Sequence, residues 1–505
     1  MEGKARIKED VREGRIDVER LVDLLAETNR RLAETTQRLA EAQQRIEELE
    51  KKVAGAGTTK FAEPFSVRAE EQRQESRGKK RPGKVRSGRK GRLTAKEKLS
   101  LAVRIEKVFP DGVPECECQL SHTRCVWRFE NGVAVLVGYE VYRGPKSQYG
   151  KVPGTLGRSE FALEIVIAIA FLVYIVGLSF DKVCLLLNFF QHLKLRKSQA
   201  DALMKRLSKH WEGEFERLCT LLAHSAVVHA DETSWSIHSV WAFLSEQARV
   251  VFFGVHKDAA TLRAILDPAM FKGIMVTDHA AVYDNFTQAQ KCWAHLLRKA
   301  IKLTLVEPTN VEFRGMADEL LAIYRAACRI QRDGRLGEAG RAKKVVELDD
   351  RIVELCGGTW AAELEPGEGP NNEYRLLCNE LMRLMLAKEL FTFVTAAPVT
   401  TPTGEVQPVS GTNNEAERTL RGAAQARKTG RTNKTPNGAR RQTILVSVLE
   451  SLRQYLSSFT LQTVIGEIQR WHDVGRSCFE DLARKLKLPE SDGSTLDRVI
   501  PQPSG

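Results

Sequence analysis

The sequence predicts a mixed α/β fold, and three observations carry that reading. Apolar runs at residues 227–230, 240–244 and 250–255 are rich in β-branched or aromatic residues and are separated by polar turns, which suggests a three-stranded antiparallel meander. A helical segment at 260–266 then leads to a fourth strand, Ile274-Met275-Val276-Thr277. Long stretches at 159–224 and 306–393 carry helical patterning. Three strands, a helix and a strand is the order that a ribonuclease H-like α/β core requires, and the later helical stretch reads as an all-α insertion within it.

At the N-terminus, Val18, Leu25, Leu32, Leu39, Ile46 and Val53 recur every seven residues, with Leu21, Thr28, Thr35, Ala42 and Leu49 at the companion positions. Such a stripe predicts a coiled coil over 1–55 and, through it, a homo-oligomer. A basic linker spans 56–100. Within it, residues 66–98 hold 13 Lys/Arg against 4 Glu, most of the chain's net charge of +12. Lys79, Lys80, Arg81, Arg86, Arg89 and Lys90 are spaced by Gly, Ser and Pro, as in an arm that contacts DNA phosphates without reading sequence. In 101–157, Cys116, Cys118, His122 and Cys125 form a candidate zinc set. One residue separates the first two cysteines where a knuckle usually has two or more, so zinc and free thiols both remain open.

The segment 158–224 reads as helical, and its uncharged run at 165–180 is short for a bilayer span, which favours a buried helix over a membrane segment. Two helical runs at 179–210 split near Ser198, a candidate N-cap, and suit a helical hairpin or a DNA-reading helix-turn-helix. The catalytic core then occupies 225–302 and 401–460, the insertion 303–400 and a C-terminal segment 461–505. A hydrophobic share of 42% and a charged share of 28% are globular values. The ten cysteines are scattered, several within apolar helical patterns, and no signal-peptide core follows Met1, so a cytoplasmic, nucleoid-associated protein is expected.

Candidate chemistry lies in three acids. Asp231 and Asp278 each end an apolar run, and Glu417 opens a helical pattern. Taken singly, each aspartate also fits a turn at a strand end, and Glu417 a capping box with Asn414. Together, carboxylates from two strands and a helix would hold a divalent ion for phosphoryl transfer. Glu415 is a rival third ligand. Arg298, Lys299, Arg418, Arg421, Arg427 and Lys428 supply positive charge along the same stretches and are candidate DNA contacts.

Ala230-Asp231-Glu232-Thr233, Thr277-Asp278 with Tyr283, Cys292-Trp293-Ala294-His295 with Arg298-Lys299, and Asn413-Asn414-x-x-Glu417-Arg418-x-Leu420-Arg421 together resemble the insertion-sequence sixty-six group of DDE transposases over roughly 160–460. The chain departs from that pattern at the spacing of Cys116 and Cys118, and at His279, where a small residue is usual. The resemblance implies Asp231, Asp278 and Glu417 as ligands of two Mg2+ or Mn2+ ions. It also implies cleavage at element ends, strand transfer into target DNA, double-stranded DNA as partner and accessory proteins as further candidates. A catalytically inactive DNA-binding regulator and a metal-dependent DNA nuclease are the alternatives.

Overall fold

The computed structural model describes residues 94–359, 369–491 and 493–500, with Ala26, Arg30, Ala33 and Gln37 as single helical positions. The coiled-coil stretch 1–55 therefore lies almost wholly outside the described residues, as do Lys79, Lys80, Arg81, Arg86, Arg89 and Lys90. The chain divides at Lys80/Arg81 into two units, and everything below concerns the second.

Helix α1 (Ala95–Ser100) opens with a reciprocal cap. Thr94 Oγ1 accepts the Glu97 N–H at 3.2 Å, and the Glu97 carboxylate accepts the Thr94 N–H at 2.7 Å. Strands β1 (Arg104–Val108), β2 (Gln119–Glu130) and β3 (Val133–Arg143) follow and form a sheet in the order β1-β3-β2. Asn131 and Gly132 join β2 to β3 at φ 48° and 81°, the pair of left-handed residues that a type I′ hairpin turn needs. The stretch 101–157 is thus mainly sheet, and it does not gather the candidate zinc set. Cys116 is exposed on a 3-10 turn, and the Cys118 thiol donates to the Pro114 carbonyl at 3.4 Å. His122 and Cys125 lie on β2 three residues apart and so face opposite sides. Among the described residues no three of these four donors come together.

Helix α2 (Leu163–Ala170) runs through a π-helical turn (Phe171–Ile175), and six of its eight residues are buried. No described helix is long and apolar enough to cross a membrane. Helices α3 (Phe180–Gln191) and α4 (Lys197–His210) make a hairpin, with Arg196 rather than Ser198 at the cap of α4. Helix α5 (Glu212–Ala223) then feeds the main sheet.

That sheet contains β4 (Val227–Ser234), β5 (Ser239–Ser245), β6 (Arg249–Val255), β7 (Ile274–Thr277) and β8 (Ala289–Lys291) in the order β6-β5-β4-β7-β8. The first three strands are antiparallel, and helix α6 (Ala259–Ile265) carries the chain across so that β7 lies parallel to β4. The meander, the helix and the fourth strand match the expectation closely. The three-residue β8 was not anticipated, because it is too short to show alternation.

Helices α7 (Trp293–Val306), α8 (Val311–Arg332), α9 (Glu338–Cys356), α10 (Pro370–Leu386) and α11 (Thr392–Thr395) share a core that includes Trp293, Phe313, Leu320, Ile352, Leu381 and Phe393 and takes in Val227 of β4 and Val276 of β7. The helical stretch is therefore packed onto the sheet through a shared interior. After a two-stranded ribbon, β9 (Val399–Thr400) and β10 (Val406–Gln407), come α12 (Asn414–Lys428), α13 (Pro436–Tyr455), α14 (Leu461–Val474), α15 (Cys478–Lys485) and α16 (Thr495–Val499).

Alternation along the strands divides the sheet's residues between two apolar layers. Trp241, Phe243 and Phe252 join Phe215 and Leu449 on one face, while Val240, Ala242, Val251 and Phe253 join Leu420 and Ala423 of α12 on the other. The outer edge of β6 is covered by α13. Ser451, Ser447 and Thr443, spaced by one helical turn, accept the N–H groups of Arg249, Val251 and Phe253 at 3.0, 2.9 and 3.0 Å. A hydroxyl ladder thus satisfies donors that an open edge would leave to water or to another chain.

Candidate active site

The register of β4 and β7 places two of the three acids. Val227 pairs with Ile274, Val228 with Met275 and His229 with Val276. Two residues beyond the last pair on each strand stand Asp231 and Asp278, level with each other on neighbouring strands. Parallel neighbours are roughly 4.8 Å apart, so the two carboxylates share one neighbourhood, with Asp231 midway along β4 and paired with Ala242 of β5, and Asp278 just past the C-terminal end of β7. The Asp278 carboxylate accepts the Ala280 N–H at 3.0 Å, which fixes its loop, and Asp231 accepts the Glu232 N–H at 2.9 Å.

The third acid arrives on α12. Asn413 precedes this helix, but its side chain does not cap it. Instead the buried Asn413 amide donates to the Ala230 carbonyl at 2.7 Å and ties the helix start to the residue before Asp231. Glu417 lies one turn on and is half-buried. Burial, then the charges of Glu232, Asp278 and Glu417, push the Asp231 carboxyl from 3.8 up to about 7. That cluster of like charges fits the oxygen-donor site of a divalent cation, which would relieve the repulsion. Glu415, the rival, is exposed and pairs with Arg249.

Other groups hold the acids in place. The buried Glu232 carboxylate accepts the Tyr283 hydroxyl and pairs with Lys257 at 2.6 Å. Arg298 donates to Glu417 at 2.6 Å. His279, beside Asp278, has Nδ1 on Glu380 of the insertion, and Lys299 donates to the same carboxylate at 2.6 Å. Burial pushes the Glu380 carboxyl up, but its bonds to His279 and Lys299 outweigh this and hold it at about 2. Arg298 and Lys299, expected to face phosphate, are thus engaged with acids. Arg427 donates to the Ser234 carbonyl at 2.7 Å, while Arg418, Arg421 and Lys428 are exposed. Arg440 and Arg441, which follow in the sequence, brace helices instead: Arg440 pairs with Glu212 and Asp497, and Arg441 with Asp201 at 2.6 Å.

Sequence reasoning missed Glu380 and Lys257. Nothing local marks a glutamate in the middle of an amphipathic helix as a neighbour of a loop about 100 residues earlier. A further gathering also appears only in three dimensions. Among the described residues, donor atoms of Cys292, His295 and Glu417 lie within 4.8 Å of one another.

These features define an α/β protein with an acid cluster across neighbouring parallel strands, flanked by a helical insertion. The model of the Transposase IS66 family matches residues 158–441, more than half of the chain, and the chain belongs to that family. No curated protein matches it. The family suggests a DNA-processing enzyme, with DNA as partner and a divalent metal in use.

Proposed function

We propose that this chain is a DDE-type transposase that cuts DNA at element ends and joins the exposed 3′-hydroxyl to target DNA, with Asp231, Asp278 and Glu417 as its metal ligands. The observation that carries the reading is the shared level of Asp231 and Asp278 on parallel strands, with Asn413 pinning the helix of Glu417 beside them. The strand order β6-β5-β4-β7-β8, an antiparallel meander followed by parallel additions, supports a ribonuclease H-like core. The coiled-coil stretch 1–55 would join copies of the chain, and the basic linker 56–100 would track the DNA backbone.

The three carboxylates offer hard oxygen ligands, which suit Mg2+ or Mn2+. A divalent ion held there supplies a more acidic attacking hydroxyl and neutralises charge on the phosphoryl oxygens. The remaining work falls to the chain. In the displacement, a new phosphorus–oxygen bond forms to water or a 3′-hydroxyl as the bond to the leaving 3′-oxygen breaks. Arg298 restrains Glu417, the Tyr283 and Lys257 contacts restrain Glu232 beside Asp231, and Glu380 restrains the loop that follows Asp278. Arg418, Arg421 and Lys428 offer exposed charge to the DNA backbone on the helix that carries Glu417.

The test is Mg2+-dependent cleavage and strand transfer on labelled DNA bearing the element's ends, for the parent and for Asp231→Asn, Asp278→Asn and Glu417→Gln. The reading requires both activities in the parent and their loss in each variant while DNA binding survives. Binding without cleavage by the parent would point to a regulator, and cleavage without joining to a nuclease.

A further inference from the structure

We propose that Cys292, His295 and Glu417 form a second metal site, for a borderline-soft divalent ion of the zinc type, on the flank of the carboxylate cluster. The site stands on its own geometry. Its consequence for activity rests on the proposed role of Glu417.

Two helix starts converge to make it. Cys292 is the residue before α7 and His295 lies three positions on, so both side chains reach the same side of the first turn. Glu417 comes from the first turns of α12, whose preceding Asn413 N–H donates to the Cys292 sulfur at 3.1 Å. Burial pushes the Cys292 thiol up, and the backbone N–H groups aimed at the sulfur oppose this without reversing it, so an ion bound here has to displace the thiol proton. Cys292 is fully buried and all ten cysteines are free thiols, so this sulfur is not spent in a disulfide.

The imidazole supplies the independent sign. His295 Nδ1 is buried and has no hydrogen-bond partner, an arrangement that folded proteins rarely leave uncompensated. It stands 3.6 Å from the Glu417 carboxylate. That is long for a hydrogen bond but close to the spacing of two donors on one tetrahedral ion, roughly 3.3–3.6 Å for bonds of about 2.0–2.3 Å. One sulfur, one nitrogen and one oxygen within 4.8 Å need only a small contraction to close on an ion. A thiolate and an imidazole select against Mg2+ and for zinc-type ions, with a fourth position left to water.

Binding would release the thiol proton to solvent and draw Glu417 away from Arg298, which now holds it at 2.6 Å. The same carboxylate cannot then serve the hard-ion cluster with Asp231 and Asp278 in the same way. Zinc at this site is therefore expected to inhibit Mg2+-dependent chemistry reversibly.

Cobalt(II) is the probe, because thiolate coordination gives a near-ultraviolet charge-transfer band whether or not the protein is active. The full-length chain is titrated with Co2+ alongside Cys292→Ser, which keeps an acceptor for the Asn413 N–H, His295→Gln, and a Cys116→Ser/Cys118→Ser double variant as a control for the exposed thiols. Circular dichroism confirms that each variant is folded. The expected result is a band in the parent and the double variant that Zn2+ bleaches, that is lost in Cys292→Ser, and whose midpoint weakens by about tenfold or more in His295→Gln. No band in the folded parent, or a band that survives in Cys292→Ser, overturns the site. Absence of Mg2+-dependent cleavage would instead count against the transposase reading, leaving the cobalt result intact.

Discussion

Replacing Asp231 by Asn should stabilise the metal-free protein at neutral and alkaline pH. Asn keeps the shape and the acceptor for the Glu232 N–H but carries no charge. Asp231 titrates at about 7 in the fold against 3.8 in its absence, pushed up by burial and then by Glu232, Asp278 and Glu417. A folded value above the unfolded one means that the fold binds the proton more tightly. Stability is therefore fully present below about 3.8, falls as the pH rises, and levels off above about 7. The whole displacement is worth at most about 4 kcal/mol, and relaxation around the site will reduce it. Urea denaturation of metal-stripped parent and Asp231→Asn at a series of pH values is the assay. The curves should coincide near pH 4 and separate by a few kcal/mol near pH 8, with the variant the more stable. Added Mg2+ should narrow or reverse the gap, because it stabilises only a protein that binds it. Parallel curves, or a variant less stable at pH 8, would refute the idea that these carboxylates crowd one another.

Three further outcomes follow from particular contacts. Asn413→Leu should cost about 1–3 kcal/mol in denaturant unfolding, since it strands the buried Ala230 carbonyl, and should reduce cleavage more than DNA binding because it frees the helix of Glu417. Ser447→Ala removes the acceptor of the Val251 N–H and should also cost about 1–3 kcal/mol, whereas a substitution at the exposed Gln425 should be near neutral. Glu380→Gln should destabilise at neutral pH. The carboxylate is held at about 2 against an ordinary 4.5, so its contribution is present above 4.5 and lost as the pH falls through 2, and thermal melts of parent and variant should converge over that window.

Much of this protein was legible from local sequence. Alternation and β-branching located β5, β6 and β7 to within a residue or so, because those strands bury their side chains in apolar layers, but β4 runs on past its apolar stretch to Ser234, so Asp231 lies within the strand, paired with Ala242, and only Asp278 follows a strand end. The β2–β3 hairpin has a local signal as well, the Asn131-Gly132 pair, whereas nothing in the spacing of the nearby cysteines shows that they stay apart. Periodicity also located a block of helices between Asp278 and Glu417, whose apolar faces meet in a core shared with Val227 and Val276 of the sheet.

Tertiary structure alone decided which groups meet. Glu415 and Glu417 are two residues apart on one helix and so point to different sides. The Asn413 bond to Ala230, together with burial of Ala416 and Leu420, turns Glu417 toward Asp231 and leaves Glu415 to Arg249. Glu380 reaches His279, and Cys292 and His295 reach Glu417, only because the insertion folds back against the sheet and two helix starts converge. Periodicity reports which face of an element is apolar. It carries no information on which distant element will cover that face, and that choice set the partners of every acid in the site.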